Sequence, residues 1–408
     1  MEIRQGYKQT EVGIIPEEWE VKKLGEISEE ISYGMNSSAV EYDGENKYIR
    51  ITDINEENRR FIPNPLTSPD KLVDNKYLVK EGDILFARTG ASVGKSYIYK
   101  EEDGKLYFAG FLIRFNIKKE NNAKFIFYQT LTERYRNWVE KMSMRSGQPG
   151  INAEEYKIFF VTIPPLKEQE KIAEILSNYD KAIEQQELLI EKEKNFKKGM
   201  MQKIFSQEIR FKDDNGEDYP EWEEKKLEDI GEIITGKTPS TKEEKYWNGA
   251  IQFVTHTDMN EKKYQTTTDR TVTEKIKMKF LPIGTVMFTC IGATIGKMSI
   301  STKICITNQQ INSIITKENI NNEYIYYSLL YIVPKIKLSK STTTMPIINK
   351  TEFSNIYISL PIKYEQEKIA NFLSDIDNKI ELLEKKLELL KNEKKGMMQK
   401  LLTGEVRV

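Results

Sequence analysis

The second half of this chain of 408 residues repeats the plan of its first half. The tract KKGMMQKI at 197–204 recurs as KKGMMQKL at 394–401, and the tract EQEKIA at 168–173 recurs unchanged at 365–370. Both recurrences are separated by 197 positions (394 − 197 and 365 − 168), so the segment between them carries no insertion or deletion. The rest of each half repeats only in outline. We therefore expect a rigid frame, built twice, that presents two different surfaces.

Composition narrows the class of protein without identifying it. At 408 residues the chain is long enough for two or three domains, and 31% charged residues suit long solvated helices. The net charge of −1 does not suggest a nucleic-acid binder, but binding depends on where the basic residues lie. Cys290 and Cys305 are too few for a disulfide framework or a zinc site. Without a leader-like or membrane-spanning stretch, we expect a soluble, cytoplasmic protein with no membrane association.

Turn residues and hydrophobic periodicity divide the chain into four segments. Residues 1–162 alternate apolar runs with turns, as in 48–52 and 82–88, and a helical pattern follows near 124–142. Residues 208–359 repeat this plan with loops of different length. We expect two mixed, mainly antiparallel β-rich domains with a few helices. The whole would be an α+β protein with a pseudo-two-fold internal repeat.

The other two segments, 163–207 and 360–408, have the pattern of long helices. Each opens on a proline-containing motif, and its apolar residues then alternate in steps of four and three, as in a coiled coil. The seam of the first helix is Ile172, Leu176, Tyr179, Ile183, Gln186, Ile190, Met200 and Ile204. The seam of the second helix is Ile369, Leu373, Ile376, Ile380, Leu383, Leu387, Leu390, Met397 and Leu401.

Two such seams in one chain most simply cover each other, because either seam alone would leave an apolar stripe in water. We expect an antiparallel coiled coil with one globular domain at each end. At 1.5 Å per residue, roughly 40 residues would span about 60 Å. The alternative is that each helix caps its own domain and never meets the other.

The motifs of the common catalytic classes are missing from the sequence. His256 is the single histidine, so no histidine-based triad can occur in both copies. Neither the G-x-G turn of a dinucleotide or S-adenosylmethionine site nor an Asn-Pro-Pro-aromatic methyl-transfer motif is present. The tract 90–96 looks like a phosphate loop but is one residue short, and a corner between two strands explains it better. We therefore expect no catalytic residues, no cofactor and no metal.

Several motifs occur in the same order in both halves. They are the opening at 15–24 with its echo at 219–227, the turn at 89–95 after a Gly-Asp-Ile-Leu-Phe strand, and the entry to the first helix at 165–173. The second half adds the motifs at 235–240 and 246–249. Together they resemble the specificity (S) subunits of type I restriction–modification systems. Each motif alone is modest, but their order is specific, and the resemblance covers essentially the whole chain.

The resemblance implies two target recognition domains, each reading one half of a split, asymmetric sequence in double-stranded DNA. It implies that the two helices are spacer regions that set the gap between the half-sites. These helices would dock two methyltransferase (modification) subunits, and restriction/translocase subunits would join that core. Half-sites one helical turn apart are separated by about 34 Å, and a helical pair of about 60 Å is a suitable ruler. The S subunit of the family is itself not catalytic.

DNA contacts require basic, amide and hydroxyl side chains, which we sought in glycine-rich or turn-rich loops. The candidates in the first domain are Asn36, Ser37, Ser38, Arg50, Thr52, Arg88, Thr89, Ser92, Lys95, Arg145, Ser146 and Gln148. Those in the second domain are Lys237, Thr238, Ser240, His256, Thr257, Thr289, Thr294, Lys297, Lys340, Ser341, Thr342 and Thr343. For many of them the alternative is a purely structural role in a turn. For His256 the alternatives are a groove reader and a partly buried core residue.

Other residues of these loops favour a structural explanation. Gly90, Gly94, Gly292 and Gly296 are expected to serve conformation, through a positive φ angle or a close approach. Asp53 and Asp258 are expected to cap turns rather than to read cytosine. The methionine tracts at 199–201 and 396–398 suit either plain core or a docking site, and we favour docking of two copies of one partner.

Two other functions compete with DNA recognition. The first is an enzyme, such as a methyltransferase fused to its own recognition domain, which the missing motifs argue against. The second is a scaffold that joins two proteins through its coiled coil without reading DNA.

Overall fold

The computed structural model describes residues 3–259, 262–339 and 346–408, and it divides into two compact units. Unit 1 comprises Met1–Glu187 and Lys386–Val408, and unit 2 comprises Leu188–Lys385. The boundary between the units falls within each of the two long helices. Each unit therefore contains one β-rich domain together with one end of each helix.

The β-rich domain of unit 1 is built from short strands and three short helices. Its strands are β1 (Tyr7–Thr10), β2 (Gly13–Pro16), β3 (Glu20–Lys23), β4 (Ser28–Tyr33), β5 (Ala39–Glu41), β6 (Lys47–Ile49), β7 (Thr67–Pro69), β8 (Asp83–Ala87), β9 (Ser96–Ile98), β10 (Leu106–Phe108), β11 (Leu112–Ile117) and β12 (Phe160–Ile163). Its helices are α1 (Ala123–Gln129), α2 (Glu133–Ser143) and α3 (Ala153–Lys157). The first long helix, α4 (Leu166–Phe205), begins in this unit.

The sheets of unit 1 are mainly antiparallel, as predicted. The largest has the order β4-β11-β8-β9, with every neighbouring pair antiparallel. The pair β6–β10 is parallel, whereas β1–β2, β5–β7 and β3–β12 are antiparallel. Strand β3 precedes most of the domain and β12 follows it, so their pairing closes the domain immediately before α4 begins.

The helical pattern near 124–142 is not one helix, because α1 and α2 are separated by three residues. The Thr130 hydroxyl donates to the carbonyl of Phe127 at 2.6 Å, at the end of α1. The Thr132 hydroxyl accepts the N–H of Tyr135 at 3.3 Å, at the start of α2. Threonine side chains that bond to the backbone favour helix ends, and the apolar periodicity continues across the break and hides it.

Unit 2 repeats this architecture with different details. Its strands are β13 (Glu223–Lys226), β14 (Gly231–Thr235), β15 (Trp247–Val254), β16 (Tyr264–Gln265), β17 (Arg270–Val272), β18 (Val286–Thr289), β19 (Met298–Ser301), β20 (Cys305–Thr307), β21 (Ile311–Thr316) and β22 (Tyr357–Leu360). Its helices are α5 (Leu227–Ile230), α6 (Asn322–Ser339), α7 (Lys350–Ser354) and the second long helix, α8 (Lys363–Leu402).

The sheets of unit 2 correspond to those of unit 1. The order β14-β21-β18-β19 matches β4-β11-β8-β9, and β16 is added in parallel beside β19. A second sheet has the order β17-β15-β20, and its β15–β20 pair is parallel like β6–β10. The antiparallel pair β13–β22 closes the domain before α8, as β3–β12 does before α4.

The two long helices run antiparallel and pack together. In unit 1, Ile172 near the start of α4 belongs to the same core as Leu401 near the end of α8. In unit 2, Ile204 near the end of α4 belongs to the same core as Leu373 near the start of α8. All four side chains are fully buried. The antiparallel coiled coil is confirmed, and the alternative of two helices that never meet is excluded.

The predicted seams match the burial along both helices. In α4, the seam residues at 172, 176, 183, 186, 190 and 204 are buried, and those at 179 and 200 are half-buried. In α8, the seam residues at 369, 373, 376, 380 and 401 are buried, and the others are half-buried. Near the end of α4 it is Met201, rather than Met200, that is buried in the core of unit 2.

Candidate nucleic-acid interface

The predicted turn joins two antiparallel strands in both domains. It connects β8 to β9 in unit 1 and β18 to β19 in unit 2. Gly94 and Gly296 have φ angles of 82° and 84° in these turns. A Cβ atom at Gly94 would lie 2.4 Å from Val139, and one at Gly296 would lie 2.5 Å from Val333. Glycine alone meets both conditions without strain, so the expectation that these two glycines serve conformation is confirmed.

The loop after α2 lies beside the turn of the first domain. The N–H of Gly90 donates to the carbonyl of Pro149 at 2.9 Å, and Thr89 and Gly150 form a β-bridge. This pairing places the loop candidates at the same edge of the domain as Thr89 and Ser92. The loop candidates are Arg145, Ser146 and Gln148, all of them exposed.

Five of the predicted residues line one concavity of about 690 Å³ on unit 1, here called the recognition pocket. The five are Asn36, Ser37, Arg50, Thr52 and Arg88. Tyr33 and Phe111 also line it, and these aromatic residues are 43% and 56% exposed. A Cβ atom at Gly34 would lie 2.1 Å from the carbonyl oxygen of Ala109, so glycine permits this close approach of two segments. The pocket thus combines hydrogen-bonding groups with exposed aromatic faces.

Three of the four cationic candidates in the first domain are paired with carboxylates, and Arg50 and Lys95 are the more buried of these three. Arg50 donates from Nε to Asp53 Oδ2 at 2.9 Å and from Nη2 to Asp53 Oδ1 at 2.7 Å. Lys95 is only 8% exposed, and its Nζ lies 2.7 Å from a carboxylate oxygen of Glu56. Because burial and pairing leave the Lys95 ammonium little access to a phosphate, we omit Lys95 from the proposed DNA surface.

The other two cationic candidates differ from each other. Arg145 forms an ion pair with Glu155 on the surface. Arg88 donates from Nε to the carbonyl of Gly110 at 3.0 Å, and its guanidinium lies 5.2 Å from the ring centroid of Tyr33 and 5.8 Å from that of Phe111. Within residues 3–259, 262–339 and 346–408, no carboxylate lies within ion-pair distance of Arg88. The carbonyl and the two rings therefore position the Arg88 guanidinium, and none of these groups neutralises its charge.

Backbone hydrogen bonds identify which positions of the two domains are equivalent. Gly34 N–H donates to the carbonyl of Leu112, as Gly236 N–H donates to that of Ile311. Arg88 N–H donates to the carbonyl of Phe111, as the N–H of Cys290 donates to that of Gln310. The equivalent pairs are Tyr33 and Thr235, Arg88 and Cys290, and Phe111 and Gln310.

The second domain carries different chemistry at these positions. Cys290 is 4% exposed, and burial raises the pKa of its thiol to about 12. Next to Gln310, the side-chain oxygen of Gln309 accepts a hydrogen bond of 2.8 Å from the Thr238 hydroxyl. The Gln310 side-chain oxygen accepts one of 3.2 Å from the Asn308 amide. A buried thiol thus replaces the arginine of the first domain, and a hydroxyl and an amide replace its aromatic rings.

The remaining candidates of the second domain fall into three groups. The exposed residues are Lys237, Ser240, Thr257 and Lys297, and the half-buried ones are Thr238, His256 and Thr294. Thr289 is fully buried, and its hydroxyl donates to the carbonyls of Thr294 and Lys297 in its own turn. The Thr289 hydroxyl therefore has a structural role in this turn. Four candidates lie outside the described residues, namely Lys340, Ser341, Thr342 and Thr343.

The remaining candidates of the first domain are accessible. Asn36, Ser38 and Thr52 are exposed, whereas Ser37, Thr89 and Ser92 are half-buried.

The two aspartates cap turns. Asp53 Oδ2 accepts the backbone N–H of Arg50, and Asp258 Oδ2 accepts the backbone N–H of Thr255, both at 2.8 Å. Asp53 is 2% exposed and Asp258 is 9% exposed. These contacts agree with the structural role expected for both residues.

Three residues beside the candidates were not predicted from the sequence, namely Phe111, which precedes β11, and Gln309 and Gln310, which precede β21. The sequence signal that could have identified them is an aromatic residue, or a pair of amides, between two apolar runs. Their place beside Arg88 and Cys290 depends on pairing between strands that are distant in sequence, which local patterns do not reveal.

Two other features are absent from the part of the chain that the structure describes. There, no group of three or more His, Cys, Asp or Glu residues is arranged to hold a metal ion. Among the same residues, no helix has the length and apolar character needed to cross a membrane.

A family model for the type I restriction modification DNA specificity domain matches the chain twice, at residues 16–192 and 219–392. The protein assigned as the MjaX type I restriction enzyme specificity subunit of Methanocaldococcus jannaschii is 29% identical, over 99% of this chain and 97% of that protein. The MjaVIII specificity subunit of the same organism is 27% identical, over 97% and 94%. The crystal structure of a type I S subunit from M. genitalium is similar in fold, with a TM-score of 0.62 at 15% identity and 98% coverage of both chains.

Proposed function

The chain belongs to the type I restriction–modification DNA specificity family, and we propose that each of its two domains reads one half of a split, asymmetric DNA sequence. Membership confirms the prediction of a DNA-recognition subunit, which in this family is not the catalytic subunit. The assignment of one half-site to each domain goes further and is our proposal. We propose the bounds 1–162 and 208–359 for the two target recognition domains.

The observation that carries this proposal is the double match of one specificity-domain model to one chain. Two domains with the same backbone plan but different side chains in equivalent loops suit an asymmetric target. Arg88 and Phe111 in the first domain correspond to Cys290 and Gln310 in the second. A symmetric homodimer would instead favour a palindrome, because it presents the same side chains to both half-sites.

We propose a DNA surface formed by the accessible candidates of each domain. In the first domain it comprises Asn36, Ser37, Ser38, Arg50, Thr52, Arg88, Thr89, Ser92, Arg145, Ser146 and Gln148. In the second it comprises Lys237, Thr238, Ser240, His256, Thr257, Thr294 and Lys297, with Gln309 and Gln310 added from the structure. The exposure of most of these side chains supports this surface.

Specificity subunits of this family bind DNA and assemble with other subunits of the system. We propose that this chain docks two modification subunits and that restriction/translocase subunits join them. The methionine tracts at 199–201 and 396–398 are our candidates for the equivalent docking sites, although Met201 itself is buried in the core of unit 2. We place this assembly in the cytoplasm, where chromosomal DNA is accessible.

A scaffold that joins two proteins without reading DNA is the competing function. The test is modified-base sequencing of host DNA with the gene present and with it deleted. Loss of methylation at one split, asymmetric motif on deletion is the expected result. Complementation with the intact gene should restore the same motif.

Methylation that is unaffected by deletion, in a host where the chain is expressed and co-purifies with a methyltransferase, would contradict DNA recognition. That outcome would favour the scaffold.

A further inference from the structure

Arg88 is distinguished from the other cationic candidates of the first domain by its partners. Arg50, Lys95 and Arg145 each lie within ion-pair distance of a carboxylate. Arg88 has no such neighbour in the part of the chain that the structure describes, although it lies in the recognition pocket beside Asn36 and Thr52. A positive charge in a concave surface without a carboxylate partner attracts an electron-rich ligand.

The guanidinium of Arg88 is held in a defined orientation. Its Nε donates to the carbonyl of Gly110 at 3.0 Å, which uses one of the five N–H donors. Tyr33 and Phe111 place their rings 5.2 Å and 5.8 Å from the guanidinium carbon. Contacts of this kind stabilise the planar cation and limit its rotation. The two terminal Nη groups make no hydrogen bond with the described residues and remain as a pair of parallel donors.

The geometry points to Arg88 as a reader of guanine in the half-site bound by the first domain, with Tyr33 and Phe111 as positioning residues. Two parallel donors match the O6 and N7 acceptors that guanine presents in the major groove. This inference rests on the proposed function, because it assumes that the first domain reads one half-site. It adds the class of base and the residue that recognises it.

A phosphate contact is the alternative for an arginine on a DNA surface. A phosphate accepts donors from many directions, so a mobile lysine or arginine is sufficient for it. The flanking rings and the bond to Gly110 instead restrict Arg88 to one plane. At the equivalent position the second domain has the buried Cys290. The two domains therefore do not share a contact to the DNA phosphates at this position.

The test uses the complete chain, assembled with its modification subunits, and duplexes that carry its methylation motif. Each guanine of the motif is replaced in turn by 7-deazaguanine, which lacks the N7 acceptor but still pairs with cytosine. We expect binding to weaken about tenfold at one guanine in one half-site, and to change little at the others. This arm requires no substitution in the protein.

The second arm repeats the measurement with Arg88→Lys, which keeps the charge but loses the paired donors. The weakening caused by 7-deazaguanine should disappear in this variant, and Phe111→Ala should reduce it. Arg136→Lys is the matched control, because Arg136 is an exposed arginine of the same domain that lies in α2, outside the proposed DNA surface. That control should retain the full effect of 7-deazaguanine.

Two results would overturn the assignment. One is an effect of 7-deazaguanine that is the same in Arg88→Lys as in the unmodified chain, or that is absent at every guanine. The other is a loss of affinity in Arg88→Ala that is uniform across all duplexes, including every duplex with 7-deazaguanine, which would indicate a phosphate contact. Failure of the proposed function is a separate outcome, in which the unmodified complex does not distinguish its motif from a scrambled duplex.

Discussion

The two domains use the same backbone hydrogen bonds to present different side chains. In the first, the guanidinium of Arg88 lies over the exposed rings of Tyr33 and Phe111. In the second, the residue equivalent to Arg88 is the buried Cys290, and Gln310 replaces Phe111. The difference teaches that the side chains at a few equivalent positions can change while the strand pairing beneath them is retained.

The junctions between domain and helix show the opposite behaviour, because their side chains are the same in both units. Trp19 Nε1 donates to Glu168 at 3.1 Å, and Trp222 Nε1 donates to Glu365 at 2.9 Å. An arginine completes each group. Arg407 from the C-terminal tail pairs with Glu168 at 2.6 Å, and Arg210 from the segment after α4 pairs with Glu365 at 2.9 Å. The frame is thus repeated to the level of single hydrogen bonds.

The largest expected effect is the loss of stability when either arginine is replaced, and the size of this loss should differ between the two junctions. Glu365 is completely buried and Arg210 is 19% exposed, whereas Arg407 is 39% exposed. Arg210→Ala should destabilise unit 2 by about 3 kcal/mol or more, because it leaves a buried carboxylate without its partner. Arg407→Ala should destabilise unit 1 by about 1–2 kcal/mol, since water reaches that pair. Hydrogen exchange resolved by peptide measures the two units separately.

Glu221→Gln is the control for the arginine pair. Glu221 is 91% exposed and lies 3.5 Å from Arg210, so its loss should change stability by less than about 0.5 kcal/mol. A larger loss from Arg407→Ala than from Arg210→Ala would contradict the difference between the junctions.

The glycine turns should respond alike in the two units, because their geometry is the same. Gly94→Ala and Gly296→Ala each combine a positive φ angle with a Cβ atom within 2.5 Å of a valine. We expect a loss of about 2–4 kcal/mol in each case, from backbone strain and overpacking. Denaturant unfolding of the complete chain measures the loss, and hydrogen exchange locates it.

Gly199→Ala is the matched control for the glycine turns. Gly199 lies in α4 with nothing within 4 Å of an added Cβ atom, so alanine should raise stability by about 0.5–1 kcal/mol. If neither Gly94→Ala nor Gly296→Ala lowered the stability, the two turns would accommodate a Cβ atom without strain. That result would contradict the structural requirement for glycine.

A smaller effect is expected at the tyrosines that join each domain to its helix. Tyr128 donates to Asp180 at 2.7 Å in unit 1, and Tyr327 donates to Asp377 at 2.5 Å in unit 2. The Asp180 side chain is 39% exposed and that of Asp377 is 23% exposed. Tyr327→Phe should cost about 1.5–2 kcal/mol and Tyr128→Phe about 1 kcal/mol, because the bond to a less hydrated carboxylate contributes more.

Tyr357→Phe serves as the reference for the tyrosine pair. Tyr357 is 56% exposed, and its substitution should change stability by less than about 0.5 kcal/mol in the same unfolding experiment. Equal losses at all three positions would mean that the hydroxyl bonds to aspartate contribute nothing specific.

The smallest effect is a response to pH that depends on Glu323 of unit 2. Burial tends to raise the pKa of the Glu323 carboxyl, but hydrogen bonds from Ser374, Tyr264 and Lys263 together hold it below its ordinary value. A carboxyl with a lowered pKa stabilises the fold above its unfolded pKa and loses that contribution as pH falls through the folded value.

Glu323→Gln should therefore be less stable than the unmodified chain at pH 7, by at most about 1 kcal/mol. The difference should shrink as the pH falls below about 4.5. Unfolding of both proteins across this range measures it. A difference that is constant with pH would indicate that the charge of Glu323 does not contribute.

The repeated frame was predictable because its signals are local or have a constant offset. The seam steps in α4 and α8 predicted the coiled coil, and the shared offset of 197 positions predicted a rigid frame that is built twice. The break between α1 and α2 was missed, because the apolar positions of both helices continue one periodicity. Two threonine side chains favour this break through hydrogen bonds to the backbone, which the apolar periodicity does not reveal.

The candidate site was less predictable, because exposure depends on partners from distant segments. Lys95 and Arg88 occur in one turn and were equivalent candidates in the sequence. Glu56, from another segment, pairs with the buried Lys95, whereas among the described residues the guanidinium of Arg88 contacts a carbonyl and two rings. Local pattern could not place Arg407 beside Glu168, because the two residues are 239 positions apart in the sequence.

The most direct test of the account is modified-base sequencing of host DNA from strains that carry Arg88→Ala or Gln310→Ala in this chain. We predict that Arg88→Ala makes one position degenerate in one half of the methylated motif. Gln310→Ala should do so only in the other half. Changes from both variants in the same half, or from either variant in both halves, would contradict the claim that each domain reads its own half-site.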